Sequence, residues 1–199
     1  MPDRLAATLQ TGLPGHLRPQ AARLYWQAFG GKLGLVLGPE PRALRFLQRV
    51  MRLDHVICAI GPDGALLGIA GFKTPEGSFA AGKAADLTAI YGRFGGFWRR
   101  VLLGWLSDDI DNSRFLLDGL CVQAEMRSLG LGAALLDAIA DEARARGYTE
   151  VRLDVIDSNW RAVALYKRQG FVVTRHQHIG PLRLVFGFSS ATTMVRRVN

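Results

Sequence analysis

A segment of six residues, 127–132 (R-S-L-G-L-G), combines a guanidinium with two glycines where an apolar strand pattern changes to a helical one. The first amides of a helix have no acceptor inside the helix and lie at the positive end of its dipole. Glycine lets an anion approach the backbone closely, and Arg127 adds a charged donor. The segment therefore predicts a phosphate site, with an ordinary glycine-containing helix start as the alternative. It has neither the Gly-Lys-Ser/Thr of a P-loop nor the G-x-G-x-x-G of dinucleotide-binding folds.

A second segment, 159–171 (N-W-R-A-V-A-L-Y-K-R-Q-G-F), predicts a short helix that carries a phenol. Ala162, Tyr166 and Gln169 share one face of this helix at i, i+4 and i+7. The small side chain one turn before Tyr166 leaves room for a ligand beside the hydroxyl. The alternative is that Tyr166 is a tyrosine of the core.

Together the two segments resemble the GNAT superfamily of N-acetyltransferases, which use acetyl-CoA. Residues 127–132 match the R/Q-x-x-G-x-G/A pyrophosphate loop of that family, and 159–171 match its N-x-x-A-x-x-L-Y-x-x-x-G-F segment. The matching motifs lie between about residues 118 and 171. Elsewhere the resemblance is limited to the predicted order of helices and strands. Ala124 stands where the family often has proline, and Ser128 stands where it usually has glycine.

The resemblance implies a role for each matching position. The backbone of Cys121 and Val122 would hydrogen-bond the pantetheine arm of acetyl-CoA as an added strand would. Asn159 would contact this co-substrate near its thioester, and Tyr166 would lie beside the sulfur as the general acid. The pyrophosphate would be held by the amides of Arg127, Ser128, Leu129, Gly130, Leu131, Gly132 and Ala133.

Transfer to an amine also requires a base, because an amine with a pKa near 10.4 is under about 1% free base at pH 7. Asp118, two residues before Leu120 on the same predicted strand, is the candidate base. The alternative is a strand-end carboxylate that pairs with an arginine. A backbone amide at the end of this strand, between Leu120 and Val122, is placed to stabilise the oxyanion. We expect direct attack in a ternary complex, because neither cysteine has an activating base nearby in sequence.

The surrounding periodicity predicts the elements that position these residues. Helices are predicted at 19–29, 39–51, 131–146 and 159–168, and strands at 56–60, 65–72, 115–122, 151–155, 171–178 and 192–198. This order predicts a single α/β domain over residues 1–199, with a GNAT-like, mixed and mostly antiparallel central sheet and helices on both faces. Residues 75–112 have an apolar helical face weakened by Gly92, Gly95 and Gly96, which predicts a helical elaboration of one or two helices.

Composition limits the partners. The net charge of +8 comes almost wholly from 21 arginines against 4 lysines. That charge suits an anionic small ligand as well as a polynucleotide, but the arginines are scattered and lack interleaved aromatics, which argues against nucleic acid. No apolar run approaches the length of a membrane span, so no membrane partner is expected. A homodimer stays open.

The remaining chemistry-bearing residues indicate no metal site. Cys58 and Cys121 lie in apolar runs, which predicts buried reduced thiols and a cytoplasmic protein. His176 and His178 share a strand face, but an ordinary half-exposed strand is favoured over a metal site. The acidic residues near Asp109 indicate a solvated helix end or a surface that attracts a cationic amine.

We therefore expect an acetyl-CoA-dependent N-acetyltransferase that acts on a primary amine of a small-molecule or peptide acceptor. One alternative is a non-catalytic acyl-CoA-binding or regulatory module on the same fold. Another is a basic nucleic-acid-binding protein. Because one fold serves many acceptors, the identity of the acceptor does not follow from the sequence.

Overall fold

The computed structural model describes residues 7–107, 114–180, 183 and 187–198. Its strands are β1 (Thr8–Thr11), β2 (Val56–Ile60), β3 (Leu66–Thr74), β4 (Gly77–Ser78), β5 (Phe115–Val122), β6 (Glu150–Ile156), β7 (Val172–His178) and β8 (Ser190–Arg197). They form one sheet in the order β1-β2-β3-β5-β6-β8-β7, and β4 extends it by pairing with β3. Among the strand pairs in the described residues, only that of β5 with β6 is parallel. The predicted mixed, mostly antiparallel sheet is therefore confirmed.

Five α-helices cover this sheet in the described part of the chain. They are α1 (Arg18–Leu37), α2 (Glu40–Val50), α3 (Ala84–Ser107), α4 (Leu131–Ala145) and α5 (Trp160–Arg168). Along β2, Ile57 and Ala59 belong to the core cluster that contains α4, whereas Val56 and Cys58 belong to the cluster that contains α1. Since successive side chains of a strand point to opposite faces, α1 and α4 pack on opposite faces of the sheet.

The parallel pairing of β5 with β6 stops early and leaves a gap in the sheet. It runs from Phe115–Val151 to Leu117–Leu153, yet β5 continues to Val122 and β6 to Ile156. The two strands thus separate toward their carboxyl ends. Among the described residues, part of the backbone of β5 beyond Leu117 has no neighbouring strand on that side.

A β-bulge at Asp118 accompanies this separation. The pairing of β3 with β5 passes from Phe72–Leu117 to Gly71–Gly119, so Asp118 is the extra residue. A bulge bends its strand and changes which side chains face each side of the sheet. After it, Cys121 belongs to the cluster on the α1 face.

Most predicted elements agree with the structure to within two residues at each end, but the end of α1 was predicted wrongly. The predicted helix ends at Gly30, whereas α1 continues to Leu37. The three interior glycines of α1, Gly30, Gly31 and Gly34, cost the helix about 1 kcal/mol each. Burial of Val36 and Leu37 offsets that cost, in a cluster that joins α1 to α2, α3 and the end of β6. The short strands β1 and β4 were not predicted.

The segment 75–112 contains α3, which the described residues show as far as Ser107. Gly92 interrupts it with φ 75° and ψ 172°, as the weakening effect of glycine led us to expect. On α3, Tyr91 donates a hydrogen bond from its hydroxyl to the Leu37 carbonyl (2.5 Å) at the end of α1. The Arg99 Nε donates to the Val36 carbonyl (2.6 Å). These bonds tie α3 to the last turn of α1.

Candidate functional site

The predicted phosphate segment lies directly after β5, at the start of α4. Gly130 precedes the helix with φ 89°, and Ser128 also has a positive φ, 64°. The Arg127 amide donates to the Ala124 carbonyl (3.3 Å). Within the described residues, the amides of 128–133 donate to no protein acceptor. Six consecutive amides are therefore available to an anion at the positive end of a helix dipole.

The two glycines of this segment, Gly130 and Gly132, have different structural roles. Apart from its chain neighbours, no heavy atom of the described residues lies within 4 Å of where a Cβ on Gly130 would be, so its positive φ is what favours glycine. A Cβ on Gly132 would lie 3.1 Å from Cδ2 of Leu165. Gly132 therefore allows α4 to pack closely against α5, in addition to any contact with a ligand.

The open edge of β5 presents alternate backbone groups. The Gln123 amide donates to the Leu67 carbonyl (2.9 Å), so Cys121, two residues earlier, also directs its backbone groups to β3. Leu120 and Val122 direct theirs to the gap. Consistent with this, the Nε of Arg127 donates to the Val122 carbonyl (3.3 Å). The resemblance implied a backbone role for Cys121 and Val122, whereas the structure favours Leu120 and Val122.

Tyr166 lies on α5 and is buried, with 8% of its surface exposed. Its ring packs against Phe171, with the centroids 5.9 Å apart. Burial, and secondarily the charge of Cys121, raises the pKa of Tyr166 to about 12. The phenol therefore keeps its proton at neutral pH. Its packing fits a core role, and the contact of α5 with Gly132, beside the predicted phosphate segment, fits a role at the gap.

Asn159 caps α5, because its side-chain oxygen accepts a hydrogen bond from the Ala162 amide (3.3 Å). An N-cap of this kind stabilises a helix by about 1 kcal/mol. The carboxamide nitrogen of the exposed Asn159 is the group left to reach a ligand.

Asp118 lies on the bulge, and Ser78 of β4 holds it. The Oδ2 of Asp118 accepts a hydrogen bond from the Ser78 hydroxyl (2.6 Å) and one from the Ala80 amide (3.3 Å). Among the described residues these donors, and no arginine, are its partners. Oδ1 of Asp118 accepts no hydrogen bond from a described residue. The pKa of Tyr25 is raised mainly by burial and further by the charges of Asp118 and Cys121.

Both cysteines are free and buried, as predicted. Burial raises the pKa of Cys58 to about 11. Burial and the charge of Asp118 raise the pKa of Cys121 well above its usual range, although Lys32 and Arg127 oppose the shift. A thiol with a raised pKa is a poor nucleophile at neutral pH, which fits transfer without a covalent intermediate.

Ser78 and the residues of α1 that face β5 were not predicted as site residues. A Cβ on Gly119 would lie 3.0 Å from the Phe29 ring and 3.3 Å from that of Tyr25. Helical spacing was the available signal for these residues. The predicted end of α1 at Gly30 excluded the next residue of the same face, Lys32.

The other candidates lie away from this site or outside the described residues. His176 and His178 are exposed on β7, and the Nδ1 of His176 lies 2.9 Å from the Thr192 hydroxyl. The described ranges contain no group of three or more side chains suited to hold a metal ion. The acidic residues around Asp109 lie outside the described residues. In the described part of the chain, no helix is both long and apolar enough to cross a membrane.

The fold is similar to that of several solved acetyltransferases. The ribosomal-protein-S18-alanine N-acetyltransferase from Escherichia coli is 17% identical, with a TM-score of 0.58, covering 97% of this chain and 94% of that one. An agmatine N-acetyltransferase is 15% identical, with a TM-score of 0.61 and coverages of 96% and 99%. The acetyltransferase yncA from Salmonella typhimurium, solved with its cofactor acetyl-CoA, is 16% identical, with a TM-score of 0.58 and coverages of 98% and 95%. At these identities the likeness shows the fold.

The family assignment rests on the sequence. Residues 19–171 match the model of the Acetyltransferase (GNAT) family, which is more than half of the chain. No curated protein matches the sequence. The chain belongs to the GNAT acetyltransferase family, and the predicted resemblance and fold are confirmed.

Ser128→Gly should stabilise the protein by up to about 1 kcal/mol. A side chain at positive φ costs about that much, and glycine removes the cost while losing part of the gain to a more flexible unfolded chain. Urea denaturation measures the effect. Ser128→Ala is the control, because it keeps a Cβ at φ 64° and should show no gain. A Ser128→Gly protein that is less stable than wild type would contradict this account of the loop.

Proposed function

We propose that this chain transfers the acetyl group of acetyl-CoA to a primary amine, with the pantetheine arm in the gap between β5 and β6. The observation that carries the proposal is the continuity of the open edge of β5 with the six unpartnered amides of 128–133. Family membership makes acetyl-CoA-dependent transfer the activity class, and the gap supports this position for the pantetheine arm.

The chemistry of the co-substrate supports this placement. Pantetheine contains amide groups, which can pair with the backbone of Leu120 and Val122 as an added strand pairs with a sheet edge. A pyrophosphate is the anion that the start of α4 suits, with Arg127 as an additional cation. A similar structure, yncA, has acetyl-CoA as its cofactor.

Transfer requires one proton acceptor and one oxyanion donor near the thioester. The amine nitrogen attacks the thioester carbon, and its proton passes to Oδ1 of Asp118, directly or through water. The oxygen of the tetrahedral intermediate accepts a hydrogen bond from the Leu120 amide, which faces the gap. The carbon–sulfur bond then breaks, and the amide product leaves with the acetyl group.

Tyr166 assists the leaving sulfur mainly as a hydrogen-bond donor. A thiol has a reference pKa near 8.5, so full proton transfer from a phenol with a pKa of about 12 is uphill by about 5 kcal/mol. A hydrogen bond to the sulfur strengthens as negative charge develops, without requiring that transfer. Solvent can supply the proton after release.

We also propose a small-molecule or peptide amine as the acceptor and the cytoplasm as the location. Among similar structures, one is named for agmatine and another for the alanine of a ribosomal protein. Two free, buried thiols fit a reducing compartment.

The phosphate site predicts that Arg127→Ala weakens acetyl-CoA binding by about 1.5–3 kcal/mol, the usual value of a charge-assisted hydrogen bond. Gly130→Asp should weaken it further, because it adds a carboxylate and a Cβ beside the pyrophosphate. Calorimetry measures both affinities.

Gly147→Asp is the matched control for Gly130→Asp. Gly147 has φ 80° and equally open surroundings, but it follows the far end of α4. Both substitutions impose similar backbone strain, so only the change at Gly130 should alter affinity. Unchanged affinity in a folded Gly130→Asp protein would overturn the site assignment.

Tyr166→Phe should lower kcat on the order of 10²-fold, the lower end of the range for a positioned proton donor, and change the acetyl-CoA affinity little. The reason is that the ring and its packing remain while the hydrogen bond to the sulfur is lost. A thiol-release assay with a confirmed acceptor measures kcat. Tyr148→Phe, whose ring packs edge-on against Phe115, is the control. A wild-type rate in Tyr166→Phe, with chemistry rate-limiting, would assign Tyr166 to the core alone.

A further inference from the structure

A lysine occupies the face of α1 that packs on the sheet. At about 100° per residue, Tyr25, Phe29, Lys32 and Val36 fall within an arc of about 60°. Tyr25 and Val36 are buried, and Phe29 and Lys32 are half-buried. Lysine is rarely placed in such a position, because burying its charge without a partner is costly.

This face of α1 packs against β5 and, further along the helix, joins a cluster that includes the end of β6. Tyr25 and Phe29 lie against Gly119 of β5. Further along the helix, Val36 belongs to the cluster that includes Ile156 at the end of β6. Along α1, Lys32 lies between the residues that pack on β5 and Val36. Its side chain therefore borders the α1 side of the gap.

No group in the described part of the chain neutralises Lys32. Its ammonium lies 5.3 Å from the centroid of the Phe29 ring, and it forms no ion pair with a described carboxylate. Burial lowers its pKa, with Cys121 opposing the shift. An anionic ligand group at the gap would supply the missing charge.

Asp118 supplies the opposite charge on the same side of the sheet. Asp118 accepts hydrogen bonds from Ser78 and Ala80, and Phe79, between these two residues, packs against Tyr25 of α1 with the ring centroids 6.0 Å apart. One acidic and one basic side chain thus border the place where an acceptor must meet the thioester. A molecule that carries an amine and an anionic group complements this pair.

We propose that the acceptor is an amine that also carries a carboxylate, such as an amino acid or a short peptide, and that Lys32 binds this carboxylate. The inference depends on the proposed function, and it names the class of acceptor for that site. Asp118 then faces the amine, and Lys32 determines specificity. A neutral Lys32 that acted as a base would instead serve all amines alike.

Matched acceptor pairs test the inference: L-lysine with cadaverine, L-arginine with agmatine, and a tripeptide with its C-terminal amide. Wild type should have the higher kcat/KM for the carboxylated member. Lys32→Met should lower that kcat/KM about 10- to 100-fold, mainly through KM. It should leave kcat/KM for the acceptor without a carboxylate nearly unchanged. Lys32→Arg should retain most of the preference.

Three readouts separate the outcomes. Lys32→Met should raise the unfolding temperature, because it removes an unpaired charge from an apolar face. Lys83→Met, at an exposed lysine, is the control and should change neither stability nor the preference for carboxylated acceptors. A Lys32→Met protein that loses kcat equally for all amines would overturn the inference. A wild-type enzyme that acetylates no carboxylated amine would overturn it as well. Calorimetry with acetyl-CoA tests the proposed function separately, since its binding does not depend on Lys32.

Discussion

The early end of the pairing between β5 and β6 is the constraint on which the site depends. Backbone amides and carbonyls inside a protein must have hydrogen-bond partners, and a sheet usually supplies them through the next strand. Beyond Leu117 and Leu153 this pairing ends, although β5 continues to Val122. The bulge at Asp118 keeps β5 paired with β3 while it turns away from β6. A ligand with a strand-like amide chain can satisfy the groups that the gap leaves open.

The elements around the gap place different chemical groups on its different sides. The start of α4 provides amides for an anion at one end of the open edge. The bulge carries Asp118 toward β4, where Ser78 fixes it. The helix α1 packs on the face opposite α4 and brings Tyr25 and Phe29 over Gly119, with the Lys32 ammonium 5.3 Å from the centroid of the Phe29 ring. Co-substrate and acceptor can therefore approach the same carbon from different sides, as direct transfer requires.

Local patterns predicted the parts of this arrangement that depend on nearby residues. The strand 115–122 and the helix after 127–132 follow from periodicity and glycine placement, and both agree with the structure. The contribution of α1 depends on packing against residues distant in the sequence, which local periodicity does not predict. The burial of Val36 and Leu37 stabilises the helix beyond Gly30 and Gly31. The bulge could not be predicted from the sequence either, because it is a mismatch in the pairing of two strands rather than a feature of one strand.

Hydrogen exchange of individual β5 amides, with and without acetyl-CoA, tests the central claim most directly. The register directs the amides of Leu120 and Val122 to the gap and those of Cys121 and Gln123 to β3. The account predicts that the Leu120 and Val122 amides exchange quickly in the free protein and become protected when acetyl-CoA binds. The Cys121 and Gln123 amides should exchange slowly in both states. Binding of acetyl-CoA without protection of Leu120 and Val122 would contradict the account.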